Sequence, residues 1–207
     1  KTLIIASGVT LEITSGRTLT IVGAITKNGN ITGSGNVTFN SIAAYNHASD
    51  NTDIPSNIST SRALAKYHTS GTTTITIASG ESLIIDATKT LTIDSGVTLN
   101  VDTGGSLTSS GAITKTASGA TISGSGSVTF NSIAAYNAAS DNSDKLIGSN
   151  ISTDRTLNKY NTTLTTTITI ASGEALTIDA TKTLIIASGV TLEITSGRTL
   201  TIVGAIT

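Results

Sequence analysis

One eight-residue line, rewritten along the whole chain, constrains the fold more than any other feature of the sequence. Lys1-Thr-Leu-Ile-Ile-Ala-Ser-Gly8 is followed by Val9-Thr-Leu-Glu-Ile-Thr-Ser-Gly16, and a third line opens at Arg17. The same line returns as Lys89–Gly96 and Val97–Gly104. Each octad has about five residues that alternate outward Thr, inward Leu, outward variable residue and inward Ile, before a corner that ends in Gly. Period-two alternation makes a strand with one buried face, and Gly allows the backbone to turn sharply. Strand, corner, strand, corner, repeated, predicts an all-β chain wound as a parallel β-solenoid.

A longer period lies above the octads. Gly-Ala-Ile-Thr occurs at 23–26, 111–114 and 204–207, so the marks are 88 and then 93 positions apart. Val37–Asn46 is identical to Val128–Asn137, and Thr72–Glu81 to Thr165–Glu174. Lys1–Thr26 is identical to Lys182–Thr207, although the units between differ at many sites. The division that follows is 1–26 as the end of a preceding unit, 27–114 as unit one and 115–207 as unit two. The expectation is a window cut from a longer tandem array.

Composition narrows the function classes. Twelve basic and 13 acidic residues leave a formal charge of −1, so no field steers the chain to nucleic acid. Without cysteine there is neither a disulfide framework nor a thiol site. No apolar run approaches the roughly 18 residues of a membrane-spanning helix.

Each unit breaks its octads once. Residues 41–71 and 132–164 carry Asn, Asp, Ser and the chain's one Pro, Pro55, and read as excursions from the solenoid. Within them Ser59–Tyr67 and Ser152–Tyr160 have the pattern of short capped helices. A three-sided, right-handed coil of about three octads is the favoured winding, with four coils per unit and an advance of roughly 19 Å at a strand spacing of ~4.8 Å.

The runs Thr90-Leu-Thr-Ile-Asp-Ser-Gly-Val-Thr-Leu-Asn-Val101 and Asn30-Ile-Thr-Gly-Ser-Gly-Asn-Val-Thr-Phe39 resemble the right-handed parallel β-helices of bacterial surface adhesins and haemagglutinin-like fibre proteins. The resemblance covers the octads and Gly-rich coils, about two-thirds of the chain, and implies an architecture rather than a site. It implies an extracellular or cell-surface location.

Candidate sites are few. His47 and His68 are the only histidines, and unit two has Ala138 and Asn161 in their places, so a repeated function does not rest on imidazole. Asp50, Asp53, Asp141 and Asp144 form loop-borne pairs with the oxygen chemistry of a Ca²⁺ site, yet lack the alternating spacing and distal Glu of a calcium loop. Asp86, Asp94, Asp102 and Asp179 stand at strand-to-corner junctions, where capping of corner amides accounts for them. Glu81 and Glu174 are unit-equivalent but isolated, and a glycosidase needs paired carboxylates; no catalytic set and no cofactor is expected. The pairs Thr18/Thr20, Thr74/Thr76, Thr90/Thr92, Thr167/Thr169 and Thr199/Thr201 have the Thr-x-Thr form of ice-binding solenoids, but a three-sided coil would spread them over different faces. Residues kept in both excursions, Tyr45/Tyr136, Arg62/Arg155, Leu64/Leu157, Lys66/Lys159 and Tyr67/Tyr160, either make assembly contacts or seal each excursion onto its own coil. The expected function is a structural segment of an extracellular fibre, filament or adhesin shaft that associates with itself along the axis. An ice- or surface-binding solenoid is the alternative, and a polysaccharide-binding or -cleaving β-helix the third.

Overall fold

The computed structural model describes residues 1–49, 53–139, 146–161 and 163–207. Its strands are short because each octad alternates for only about five residues before its corner. The first coil is β1 (Thr2–Ile5), β2 (Thr10–Glu12) and β3 (Thr18–Ile21), and the second β4 (Ala24–Lys27), β5 (Asn30–Thr32) and β6 (Asn36–Phe39). A five-residue helix, α1 (Ile42–Asn46), precedes β7 (Asn57–Ile58), β8 (Arg62–Leu64) and β9 (Thr72–Ile77). The fourth coil is β10 (Ser82–Ile85), β11 (Thr90–Ile93) and β12 (Val97–Val101); the fifth is β13 (Ser106–Ser109), β14 (Ala112–Lys115) and β15 (Thr121–Gly124). The sixth holds β16 (Ser127–Phe130), α2 (Ile133–Asn137), β17 (Asn150–Ile151) and β18 (Arg155–Leu157). Two more follow: β19 (Thr165–Ile170), β20 (Leu176–Ile178) and β21 (Thr183–Ile186), then β22 (Val190–Ile194), β23 (Leu200–Ile202) and β24 (Ala205–Ile206).

Every ladder between strands is parallel, and each strand pairs with the one three places away in the chain. The solenoid is therefore three-sided, and the described strands, β1 to β24, make eight coils. Face I carries the first strand of each coil, face II the second and face III the third. Plain rungs differ in length, the step from Thr18 to Asn36 being shorter than that from Ser82 to Ser106. The coils that carry an excursion are longer again, reaching from Asn36 to Thr72 and from Ser127 to Thr165.

Alternation decides what is buried. Leu83, Ile85, Leu91, Ile93, Leu99 and Val101 are all sealed inside, while Ile84 between two of them faces out. Stacked inward residues join into one apolar core reaching from Ile5 to Leu184. Corners are closed tightly: a Cβ on Gly111 would overlap the Lys89 and Asp86 carbonyl oxygens of the preceding coil. In two octads Thr replaces the corner Gly, and Thr88 and Thr181 adopt left-handed backbones at φ 68° and 66°.

Three expectations are corrected. The helices expected at 59–67 and 152–160 are extended, with β8 and β18 in their place. Arg62–Leu64 satisfies the open edge of β11, with Leu64 turned inward opposite Ile93, and so short a segment gains less from helical bonds than from a ladder. Helix forms instead at Ile42–Asn46 and Ile133–Asn137, where the Ser41 and Ser132 hydroxyls accept from the Ala44 and Ala135 amides at 2.9 Å. Nor does a unit hold four coils. From β6 to its repeat β16 is ten strands, which is three coils and one strand. The advance is thus about 16 Å per unit. The third correction concerns the corners, where backbone carbonyls of Asp86, Asp94, Asp102 and Asp179 accept from Lys89, Val97, Gly105 and Lys182. The side chains of Asp86, Asp102 and Asp179 instead accept from Asn57, Asn100 and Asn150.

Candidate functional site

The excursions are where each unit departs from a plain coil, and they are built from the chain's scarcest residues. All six aromatic side chains, four Tyr and two Phe, fall into two clusters. Phe39 meets Tyr45 and Tyr67 edge-on at 5.2 and 5.1 Å, and Phe130 meets Tyr136 and Tyr160 at 5.3 Å each. Such pairs add about 0.5–1.5 kcal/mol each beyond their buried area. The Phe stands inside a rung, one Tyr comes from the short helix and the other from the chain's return to the coil. The rings thus hold both ends of the excursion on the core. Tyr45, Tyr67, Tyr136 and Tyr160 are buried, and burial pushes the Tyr45 and Tyr136 hydroxyls above the ordinary phenol value.

A carboxylate locks the helix to the coil. Glu81 Oε2 accepts from the Ile42 amide at 3.0 Å and from its own corner's Ala78 amide at 2.9 Å, while Oε1 accepts from Ala43 at 3.4 Å. Glu174 repeats this on Ile133, Ala171 and Ala134 at 2.9, 3.0 and 2.8 Å. Helix N-termini leave amides without partners, and a carboxylate is the strongest acceptor to supply. The isolation of Glu81 in sequence hid this role. The signal was its place in the identity of Thr72–Glu81 with Thr165–Glu174.

A second clasp closes the base of the loop. The Asn46 side chain exchanges two 2.8 Å bonds with the Ile54 backbone, and Asn137 does the same with Ile147 at 2.9 Å. Eight positions separate the first pair and ten the second, so the clasp tolerates loops of different length. Of the proposed calcium ligands, Asp53 is exposed, whereas Asp50, Asp141 and Asp144 lie outside the described residues. Among the described residues no group of three or more His, Cys, Asp and Glu side chains converges.

The remaining polar residues lie around these clasps. Arg62 is half-buried on β8 and Arg155 exposed on β18. Lys66 donates to the Thr69 carbonyl at 2.9 Å, and its counterpart Lys159 lies across the corner at Gly189. Lys27 and Lys115 sit over the Tyr67 and Tyr160 rings at 5.0 and 6.0 Å. Lys27, Lys66, Tyr67 and His68 line an open cleft of about 540 Å³. His68 is buried there with neither ring nitrogen in hydrogen-bond geometry, and desolvation, with the nearby Lys66 and Lys27 charges, lowers its pKa. Unit two places Asn161 at this position, donating to the Ile122 carbonyl. His47 is exposed at the end of α1. The tyrosines among the residues kept in both excursions are thus turned inward, and Arg62, Lys66, Arg155 and Lys159 lie at or near the surface.

No family model, curated protein or solved structure matches the chain.

The Thr pairs are spread over the faces: 18/20 and 74/76 on III, 90/92 and 199/201 on II, and 167/169 on I. Register nevertheless builds one rank the pairs alone did not reveal. Thr20, Thr38, Thr74, Thr98 and Thr121 stack outward on five successive rungs of face III. The Thr98 and Thr121 hydroxyls bond to each other at 2.7 Å. Asn36 and Asn100, not Thr, interrupt the flanking ranks. Among the described residues no helix is long and apolar enough to cross a membrane.

Proposed function

We propose that this chain is a structural segment of an extracellular fibre or adhesin-type shaft, extended along its axis by further coils of the same register. One internal comparison carries the reading. Lys1–Thr26 and Lys182–Thr207 have the same sequence, and on the first copy β5 and β6 stack in register. Ile13 and Ile21 are 5% exposed beneath β5 and β6. The sequence that accepts Asn30–Phe39 as its next coil is thus present twice in the chain. Each apolar side chain fully covered contributes about 1.5–3 kcal/mol, and each coil stacked in register adds its contacts to those of its neighbour.

The role is mechanical: inward ladders bury area, and outward Thr and Ser present a surface of low charge. Self-association would be axial, within one long chain or end to end between chains. Imaging the purified material tests this, with rods that lengthen by coil addition expected and discrete, unextended particles at high concentration counting against it. Binding of an ordered surface such as ice is the second reading, supported by the five-rung Thr rank. A thermal-hysteresis measurement decides it, and activity abolished by Thr74→Tyr on the rank would favour it over the shaft. A polysaccharide ligand would have to bind without aromatic stacking, since all six rings are committed inside.

A further inference from the structure

The unit and the coil do not match in length. A unit is ten strands and a coil is three, so each unit begins one face further round than the last. The sheets record this directly. Strand β6 of unit one pairs on face III with β3 and β9, while its repeat β16 pairs on face I with β13 and β19. The first excursion accordingly interrupts faces I and II, between β4 and β7 and between β5 and β8, and the second interrupts faces II and III, between β14 and β17 and between β15 and β18. Ala48 bridges Ile25 on β4, and its repeat Ala139 bridges Ile113 on β14. The Thr rank moves likewise: Thr20–Thr38–Thr74–Thr98–Thr121 lies on face III, and Thr108–Thr129–Thr167–Thr191 on face I. Even the identical ends obey it. Thr2–Ile5 is on face I and its copy Thr183–Ile186 on face III, twenty strands later.

We propose that an array of these units displays its excursions on a screw, one face per unit, returning to the first face after three units. Thirty strands are ten whole coils, so on any one side the excursion recurs every ~48 Å, with neighbours ~16 Å apart along the spiral. A partner that recognises the excursion, through its helix, its Glu81-type clasp or its Arg and Lys side chains, finds co-facial sites only at the longer spacing. A bivalent partner with a shorter reach has to wrap the shaft. The same screw limits a second copy of the shaft: flat sheet can face flat sheet only between successive excursions. It also keeps any Thr rank to a few rungs, since on face I the outward position before Thr108 is Ile84.

Thiol coupling tests the rotation in this chain, which has no cysteine of its own. Thr108→Cys with Thr129→Cys places two outward thiols on adjacent rungs of face I, within the backbone separation a disulfide spans. Thr121→Cys with Thr129→Cys is close in sequence but straddles a corner between faces III and I. Efficient oxidation of the first pair and not the second is expected. A link at 121/129 as strong as that at 108/129, or none at 108/129, overturns the proposal. The extension to an array is tested by repeating residues 27–207 once after Thr207, a seamless join because of the terminal identity, and imaging the four-excursion rod. The fourth excursion should stand above the first, at the ~48 Å that ten coils of strand spacing span. Four in one line overturns the screw while leaving the shaft reading intact, and a rod that never assembles into fibres leaves the screw intact.

Discussion

Removing the Glu81 carboxylate should release the first excursion from its coil. Glu81→Ala deletes the acceptor for three amides, two at the start of α1 and one at the corner after β9. A donor left without a partner costs about 1–3 kcal/mol when buried. These are half-buried or exposed and can recruit water, so about 2–3 kcal/mol in total is the expected loss. Solenoids unfold by neighbouring units rather than all at once, which makes hydrogen exchange a better readout than a global melt. Exchange at Ile42–Asn46 and at Ala78 should accelerate roughly 30- to 150-fold, at about 1.4 kcal/mol per factor of ten. Unit two, held by Glu174, should be unchanged. Glu12→Ala, at an exposed position on β2, is the control and should have little effect. If Glu81→Ala exchanged no faster than that control, the clasp would not be what holds α1 in place.

Three further outcomes follow from the same geometry. Leu91→Asp should be severely destabilising, since Leu91 is fully buried, whereas Thr92→Asp, one position on and facing out, should cost under about 1 kcal/mol; thermal unfolding of the two compares them, and equal losses would refute the register. Thr88→Gly and Thr181→Gly should each stabilise by about 0.5–1 kcal/mol by relieving a left-handed β-branched residue, read as a raised denaturation midpoint. His68 has a lowered folded pKa, so the unfolded chain takes up its proton first: the neutral-His stability is complete above the ordinary value of 6.5 and declines as pH falls below it. Hydrogen exchange around Tyr67 between pH 7 and 5 should show that loss in the native chain and not in His68→Asn.

The octads were legible because a period-two pattern has one consistent folded reading. Leu91 and Ile93 inward with Ile84 outward followed from alternation, and the Gly corners from backbone freedom. The three-sided coil followed from fitting three octads into one turn, and the rung from Ser82 to Ser106 holds three of them. The helix at Ile42–Asn46 was missed because so short a run carries too little periodicity to register. The strand at Arg62–Leu64 was missed because its reason to be extended lies in β11, one coil further along the chain.

Local pattern alone therefore determined that the chain is a solenoid and which octad residues fill its core, because those properties depend on neighbours within a few positions. What only the tertiary structure decided depends on counting strands around a closed coil. Glu81 is a clasp because the coil brings Ile42 to it across 39 positions. The Thr rank exists because rungs of unequal length still align Thr20, Thr38, Thr74, Thr98 and Thr121. The excursions turn one face per unit because ten is not a multiple of three, a remainder that appears only once the strands are stacked.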